Sequence, residues 1–158
     1  MARFTSSVDV AAPVERVWQK ITDWPAHGRW VPLTTVRVTS ARGDGVGATF
    51  VGRTGIGPVA FDDPMEIVEW TPPAAGAAGH CAVRKLGRVV LGRAWVDVTP
   101  REGGSTVDWT EEVHLAPVRL TRPLEPLIAL GGRLGFDRVL RGLARELEAE
   151  LAAEGGRA

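Results

Sequence analysis

The hydrophobic pattern at the start of the chain predicts a strand followed by two short helices. Residues 4–11 alternate between apolar and small or polar side chains, the period-two pattern of a half-buried strand. Pro13 suits the first position of a helix, where its missing N–H costs nothing. Apolar residues then recur at helical spacing: Val14, Val17, Trp18 and Ile21. Asp23-Trp24-Pro25 ends that helix, and residues 26–32 are predicted to form a second short helix or turn.

The middle of the chain, from Leu33 to Leu115, predicts a series of antiparallel strands. Gly and Pro clusters separate runs of β-branched and aromatic residues, and no long helical period occurs. Segments such as Gly43-Asp44-Gly45 and Gly103-Gly104 supply the positive φ that tight hairpins need. Six strands are expected at about residues 34–40, 46–53, 59–70, 81–86, 88–99 and 105–115.

After Pro117 the pattern becomes helical and predicts one long C-terminal helix. Its apolar residues recur at steps of three and four: Leu124, Leu127, Ile128, Leu134, Phe136, Val139, Leu140, Leu143, Leu147 and Leu151. Glycines inside a helix cost about 1 kcal/mol each. We therefore expect either a close backbone approach to the sheet or a kink near Gly131-Gly132. One domain is expected over residues 1–154, with residues 155–158 as a disordered tail.

These elements together predict an α+β fold in which one curved antiparallel sheet of about seven strands packs against the long C-terminal helix. A single helix cannot fill the concave face of a twisted sheet by itself. Side chains or a bound molecule must therefore occupy the space between the sheet and the helix. That space is the predicted site.

Charge and composition exclude several partners. The 19 Lys and Arg residues balance 19 Asp and Glu, and the arginines are scattered, so no basic surface for nucleic acid is expected. The longest stretch without a charged residue, 71–83, contains Pro and Gly and is shorter than the ~20 apolar residues of a membrane span. The N-terminus lacks the apolar segment of a secretory signal, and Cys81 is the lone cysteine. A cytoplasmic protein is expected.

No pattern predicts a cofactor or a metal. His80 and Cys81 are adjacent on a predicted strand and point to opposite faces, which excludes a nucleophile–base pair. The three histidines are widely spaced and lack the spacing of zinc ligands. The Gly43–Gly47 segment is followed by alternating residues instead of a helix, so it indicates a hairpin turn and not a phosphate-binding loop.

Four segments carry a resemblance to a known family. They are VDVAAPVERVWQKITDWPAHGRWVP (8–32), GVGATF (45–50), EIVEWTPP (66–73) and GGSTVDWTEEV (103–113). In this order, before a C-terminal helix, they resemble the START-like helix-grip superfamily and, more narrowly, its bacterial polyketide cyclase/dehydrase and lipid-transport branch. The resemblance covers nearly the whole chain and implies the helix-grip fold. The superfamily contains binding proteins, carriers and some enzymes, so the resemblance leaves the activity open.

Glu111 is the polar residue that strand alternation most clearly assigns to the predicted site. On the last predicted strand it alternates with Trp109 and Val113, which puts it on the core face. A carboxylate in an apolar space needs a partner or stays protonated, and Arg84 or Arg93 on neighbouring strands can supply one. The alternatives are a bulge that turns Glu111 to solvent, or a purely structural salt bridge.

Aromatic residues and one leucine complete the predicted site. Six Trp and four Phe without any Tyr favour an apolar interior. Phe50, Phe61 and Trp109 are expected to face the helix, with ordinary core packing as the alternative for each. Only one of Trp95 and Val96 can point inward on its strand, and Trp95 is the expected one, with the same alternative. The resemblance makes Trp30 a gate residue at the cavity entrance, and Leu134 is expected to line the cavity from the helix.

These residues predict binding or carriage of a hydrophobic small molecule, such as a lipid, a polyketide or an isoprenoid-like compound, by a monomer or homodimer. One alternative is an aromatase/cyclase-type enzyme in which Glu111 and an arginine orient and deprotonate a poly-keto chain. Another is a protein-interaction module with a collapsed cavity, which an exposed apolar patch would favour.

Overall fold

Seven strands form one antiparallel sheet in the computed structural model, which describes residues 1–156. The strands are β1 (Ala2–Val10), β2 (Thr34–Val38), β3 (Thr49–Thr54), β4 (Phe61–Thr71), β5 (Gly79–Leu86), β6 (Val90–Arg101) and β7 (Gly104–Leu115). Strands β2 to β7 follow one another across the sheet, and β1 pairs with β7 at its edge. The sheet curls into a half-barrel around the C-terminal helix, which confirms the predicted helix-grip fold.

The helical segments follow the predicted order. They are α1 (Val14–Ile21), a 3₁₀ helix (Trp24–Arg29), a 3₁₀ turn (Gly57–Val59), α2 (Val118–Thr121), a 3₁₀ turn (Arg122–Leu124) and α3 (Glu125–Gly155). Helix α3 runs one residue past the expected domain end, and Gly156 donates its backbone N–H to the carbonyl of Ala152 at 3.1 Å. The expected tail therefore begins inside the helix at Gly155, and residues 157 and 158 lie outside the described residues. No helix within residues 1–156 has the length and hydrophobicity needed to cross a bilayer.

The two halves of α3 have different environments. Its buried residues all lie from its middle onward: Val139, Leu140, Leu143, Ala144 and Leu147. The leucines of α2, the following turn and the first half of α3 are exposed: Leu120, Leu124, Leu127, Leu130 and Leu134. Burial of apolar area stabilises a fold by about 25 cal/mol per Å². The second half of α3 therefore anchors the helix to the sheet.

Gly132 allows α3 to approach β1 closely. A Cβ at this position would collide with the ring of Phe4 on β1. The helix continues through Gly131-Gly132 without a break, so the close approach, and not a kink, accounts for Gly132. A methyl group added at Gly131 would have no neighbour within 4 Å, so packing does not explain this glycine.

The core fills only one end of the concave sheet. On β5 the inward residues Cys81 and Val83 belong to the core, whereas Lys85, two residues further on, lines an open space. On β7, Val107 belongs to the core and Glu111 lines the same space. Because side chains alternate along a strand, each of these strands contributes first to the core and then to the cavity.

Candidate functional site

A cavity of about 290 Å³ lies between the concave face of the sheet and the first half of α3. Its walls are mostly apolar and include six aromatic rings: Phe4, Trp24, Phe50, Phe61, Trp109 and Phe136. Helix α3 contributes Ile128, Gly132 and Phe136, which follow one another at steps of four and so share one face. The volume lies at the small end of the range for ligand pockets, roughly 300–1,000 Å³.

The aromatic walls are held in place by each other. The rings of Trp24 and Phe50 stack with centroids 4.3 Å apart and an interplanar angle of 7°. Trp24 is fixed further because its indole N–H donates to the carbonyl of Gly43 at 2.8 Å. The rings of Trp109 and Phe136 lie 5.4 Å apart across the cavity wall. Such pairs stabilise one arrangement of the rings, so the apolar surface is largely preformed.

Three charged residues from three strands form a polar cluster in the cavity wall: Asp63 on β4, Lys85 on β5 and Glu111 on β7. The Lys85 ammonium lies 2.8 Å from Asp63 Oδ2 and 3.6 Å from Glu111 Oε2. The indole N–H of Trp109 donates to Glu111 Oε1 at 3.1 Å. The side chains of Lys85 and Glu111 are each 6% exposed, so the cluster is almost dry.

Small residues on β6 make this cluster possible. Strand β6 lies between β5 and β7, and in the sheet register Lys85 is opposite Gly92 while Glu111 is opposite Ala94. Neither residue of β6 has a side chain beyond Cβ, so β6 leaves space on the concave face between Lys85 and Glu111. The cluster therefore depends on two residues that carry no functional group.

Burial and charge determine the protonation of the cluster. Burial raises the pKa of Glu111, and the opposing effects of Lys85 and the Trp109 N–H do not cancel this. Burial by itself would lower the pKa of Lys85, but the carboxyl groups of Glu111 and Asp63 outweigh it and raise the pKa above its ordinary value. Lys85 therefore stays cationic, and Glu111 keeps its proton to higher pH than an exposed glutamate.

The raised pKa of Glu111 predicts a pH-dependent cost to stability. The folded chain holds this proton at pH values where the unfolded chain, with a pKa of about 4.3, has released it. The stability from Glu111 is complete below that value and is lost as the pH rises through the folded-state pKa. We expect Glu111→Gln to melt a few degrees above the parent protein at pH 8 and equally at pH 4, given about 2–4 °C per kcal/mol at this chain length. A difference in Tm between Glu111→Gln and the parent protein that stays the same from pH 4 to pH 8 would contradict this.

His27 is a second polar residue of the cavity wall. Its Nε2 lies 2.7 Å from the carbonyl oxygen of Ile21, which can only accept, so Nε2 carries the hydrogen. Burial lowers the pKa of His27 despite that hydrogen bond. The ring is therefore neutral, with Nδ1 left as an acceptor.

The sequence analysis missed Asp63, Lys85 and His27. The alternation that places Glu111 inward also places Lys85 inward, two residues after Val83, and places Asp63 inward, two residues after Phe61. That signal was present for both strand residues. His27 lies in a 3₁₀ helix of six residues, which has too few residues for a periodic pattern.

Four of the eight predicted site residues line the cavity: Phe50, Phe61, Trp109 and Glu111. The other four, Trp30, Arg84, Trp95 and Leu134, do not line it.

The expected arginine partner of Glu111 is wrong. Arg84 is 60% exposed on the convex face, where its guanidinium pairs with Glu66 at 2.6 Å. Arg93 also lies on that face and pairs with Glu112 at 2.7 Å. Each arginine is one residue away from an inward position, and strand alternation turns it outward. Lys85 provides the cation instead.

Trp95, Leu134 and Trp30 are corrected for different reasons. Trp95 points outward, where the guanidinium carbons of Arg3 and Arg93 lie 5.6 and 5.3 Å from its ring centroid, while Val96 takes the inward position. Leu134 is 55% exposed, because the cavity side of α3 is the face that carries Gly132 and Phe136. Trp30 packs against α3, where its indole N–H donates to Glu146 at 2.6 Å.

Comparison with known proteins agrees with the fold. The profile of the family described as polyketide cyclase / dehydrase and lipid transport matches residues 1–148. No curated protein matches the sequence significantly. Among solved structures, TTHA0849 from Thermus thermophilus superposes with a TM-score of 0.75 at 15% identity, covering 94% of this chain and 98% of that one.

Two aromatase/cyclases share the same fold. The Zhui aromatase/cyclase from Streptomyces sp. R1128 has a TM-score of 0.71 at 15% identity, covering 97% of both chains. The di-domain ARO/CYC StfQ from the steffimycin biosynthetic pathway has a TM-score of 0.70 at 14% identity and covers 96% of this chain and 52% of that one. At such identities the likeness shows the fold alone. The profile match over residues 1–148 confirms the resemblance found in the sequence, and the chain belongs to the polyketide cyclase/dehydrase and lipid transport family.

Proposed function

We propose that this protein binds a hydrophobic small molecule, such as a lipid, a polyketide or an isoprenoid-like compound, in the cavity between the sheet and α3. One observation carries the proposal: about 290 Å³ stays unfilled between six aromatic rings and a buried charged cluster. Protein interiors are otherwise close-packed, and an apolar space with a few convergent polar groups is the usual form of a ligand site. Each methylene that a ligand buries there contributes about 0.8 kcal/mol.

The proposal includes a cytoplasmic location and a monomeric or homodimeric state. The lone cysteine, Cys81, is buried, and burial raises its pKa to about 12, so its thiol is unreactive toward disulfide exchange. This suits a protein that is stabilised by packing alone.

Filling the cavity should abolish binding. Gly52 lines the cavity from β3, and a Cβ there would make ordinary contacts, 3.7 Å from Met65 Cε and 4.0 Å from the Asp63 carbonyl oxygen. The side chain of Gly52→Phe would then project into the open space without backbone strain. We expect the dissociation constant of the neutral fluorescent probe N-phenyl-1-naphthylamine to rise at least about tenfold, because its apolar area loses its site.

Two control variants add similar bulk elsewhere. Val51→Phe places the ring on the opposite face of β3, and Leu134→Trp enlarges an exposed residue of α3. Both should bind the probe as the parent protein does, and near-ultraviolet circular dichroism should show the same packing in all variants. Saturable probe binding that survives Gly52→Phe would contradict the proposed site.

An aromatase/cyclase-type reaction is the second candidate function, and the Glu111–Lys85 pair favours it. Glu111 with its raised pKa can give its proton to the carbonyl oxygen under attack as the carbon–carbon bond forms, and the resulting carboxylate can take a proton from the attacking carbon. The same exchange with a second proton of that carbon releases the new hydroxyl group as water, while Lys85 hydrogen-bonds to a neighbouring carbonyl. With a synthetic aryl 1,3,5-triketone, cyclised product from the parent protein and its loss in Glu111→Gln, at unchanged affinity, would support this reaction. Equal product formation by both proteins would remove Glu111 from it.

A further inference from the structure

The charged residues of the cavity wall determine whether a charged ligand can bind. The lining residues within the described chain include one cation that is charged at all ordinary pH values, Lys85, and two carboxyl groups, Asp63 and Glu111. Lys85 is held 2.8 Å from Asp63, so this pair is already neutral. The nearest arginines on β5 and β6 are paired with Glu66 and Glu112 on the outer face. A ligand carboxylate would therefore be the third acid beside one ammonium group.

The hydrogen-bonding capacity of the cluster is only partly used. An ammonium group has three N–H donors, of which Lys85 gives one to Asp63 Oδ2 at 2.8 Å and one, weakly, to Met65 Sδ at 3.8 Å. Glu111 Oε2 lies 3.6 Å away, beyond ordinary hydrogen-bond distance. Asp63 Oδ1 is buried and has no hydrogen-bond partner among residues 1–156. The Lys85–Asp63 ion pair can therefore both donate a hydrogen bond to a ligand, from Lys85, and accept one, at Asp63 Oδ1.

The other N–H and O–H donors of the wall are already used, and His27 Nδ1 is left as an acceptor. Thr34 and Thr54 hydrogen-bond to each other through their hydroxyls at 2.8 Å, and the N–H of His27 donates to the main chain. The Trp109 N–H is used by Glu111. A buried polar group without a partner costs about 1–3 kcal/mol, so a ligand gains most at the Asp63–Lys85 pair.

We propose, on the basis of the binding function proposed above, that the cavity selects a neutral aromatic ligand bearing a hydroxyl group, and rejects carboxylates such as fatty acids. The hydroxyl is the simple oxygen group that both donates, here to Asp63, and accepts, here from Lys85. The ring of the ligand lies among the aromatic side chains of the wall. A carboxylate cannot donate and meets the like charge of Asp63.

Three probes of similar size test this preference in the unmodified protein. We expect 1-naphthol to bind at least about tenfold more tightly than naphthalene, and 1-naphthoate to bind most weakly, in calorimetric or fluorescence titrations at pH 7. Naphthoate binding as tightly as naphthol, or naphthalene binding as tightly as naphthol, would overturn the proposal while leaving the binding function intact. Failure of all three probes to bind would count against the binding function itself, and the ligand preference would fall with it.

Substitutions test whether the preference for naphthol over naphthalene depends on the Asp63–Lys85 pair. Lys85→Met should reduce naphthol binding to the level of naphthalene, whereas Arg84→Met, the neighbouring residue on the outer face, should leave the ratio unchanged. The double variant Lys85→Met with Asp63→Leu avoids an unpaired buried carboxylate if the single variant folds poorly. In that double variant naphthalene should bind at least as tightly as naphthol. A tenfold preference for naphthol that persists there would show that the pair does not recognise the hydroxyl.

Discussion

Replacing Gly92 by Ala should lower the free energy of unfolding by at least about 3 kcal/mol. Gly92 has a φ of 132° on β6, a conformation that L-residues rarely adopt and that costs about 1–3 kcal/mol on its own. The added methyl group would also collide with the carbonyl oxygen of Glu112 and lie 3.0 Å from Val113 Cα on β7. Because both contacts are with main chain, the β6–β7 ladder must shift to relieve them. Urea denaturation measures the loss.

The same substitution in α3 should have the opposite sign. Gly131 is helical, and a methyl group added there would have no neighbour within 4 Å, so Gly131→Ala should raise the free energy of unfolding by about 0.5–1 kcal/mol. The two variants add the same methyl group to the same chain. Equal or like-signed effects would mean that the main-chain geometry at Gly92 is not as described.

Lys85→Met should cost about 3–5 kcal/mol of stability near neutral pH, the range found when one partner of a buried ion pair is removed. Without the ammonium group, Asp63 loses its 2.8 Å partner, and the Glu111 carboxyl group loses its nearest positive charge. Part of the loss should be recovered on acidification, because protonated carboxyl groups need no cation. Urea denaturation of the variant at pH 7 and pH 4 measures both effects.

Two further variants separate the buried pair from its surroundings. Arg84→Met removes an exposed cation next in sequence and should cost no more than about 1 kcal/mol, as for other surface ion pairs. The triple variant Lys85→Met, Asp63→Leu and Glu111→Leu removes all three charges and should be at least as stable as the parent protein. A triple variant as unstable as Lys85→Met alone would show that the cost arises from packing and not from unpaired charge.

Strand alternation explains how much of the site the sequence could predict. Side-chain alternation on β7 correctly placed Trp109 and Glu111 on the inward face, and the turn glycines separated the strands. The prediction of an arginine partner for Glu111 is wrong because the same alternation holds on β5 and β6 and turns both arginines outward. Arg84 is adjacent to Val83, an inward residue, and therefore had to face outward.

The periodicity of apolar residues does not determine which face of α3 packs against the sheet. Leu127, Leu130 and Leu134 are as apolar as Ile128, and helical spacing alone fits more than one apolar face. The contact of Gly132 with Phe4 decides which side faces the sheet, and this contact joins residues 128 positions apart in the chain. Such long-range packing has no local signature. For the same reason, Trp30 could not be placed on the side of α3 from the residues around it.

Because neighbouring residues of a strand point to opposite faces, the ligand preference depends on how β5 is aligned with the strands beside it. Arg84 and Lys85, like Glu111 and Glu112, differ by a single position and lie on opposite faces of the sheet. A one-residue insertion or deletion that shifted β5 against β4 would carry a guanidinium group into the cavity and expel the ammonium group. Homologues with nearly the same amino acids at these positions would then accept anionic molecules, so alignment gaps in the β4–β5 and β5–β6 connections are as informative about specificity as substitutions.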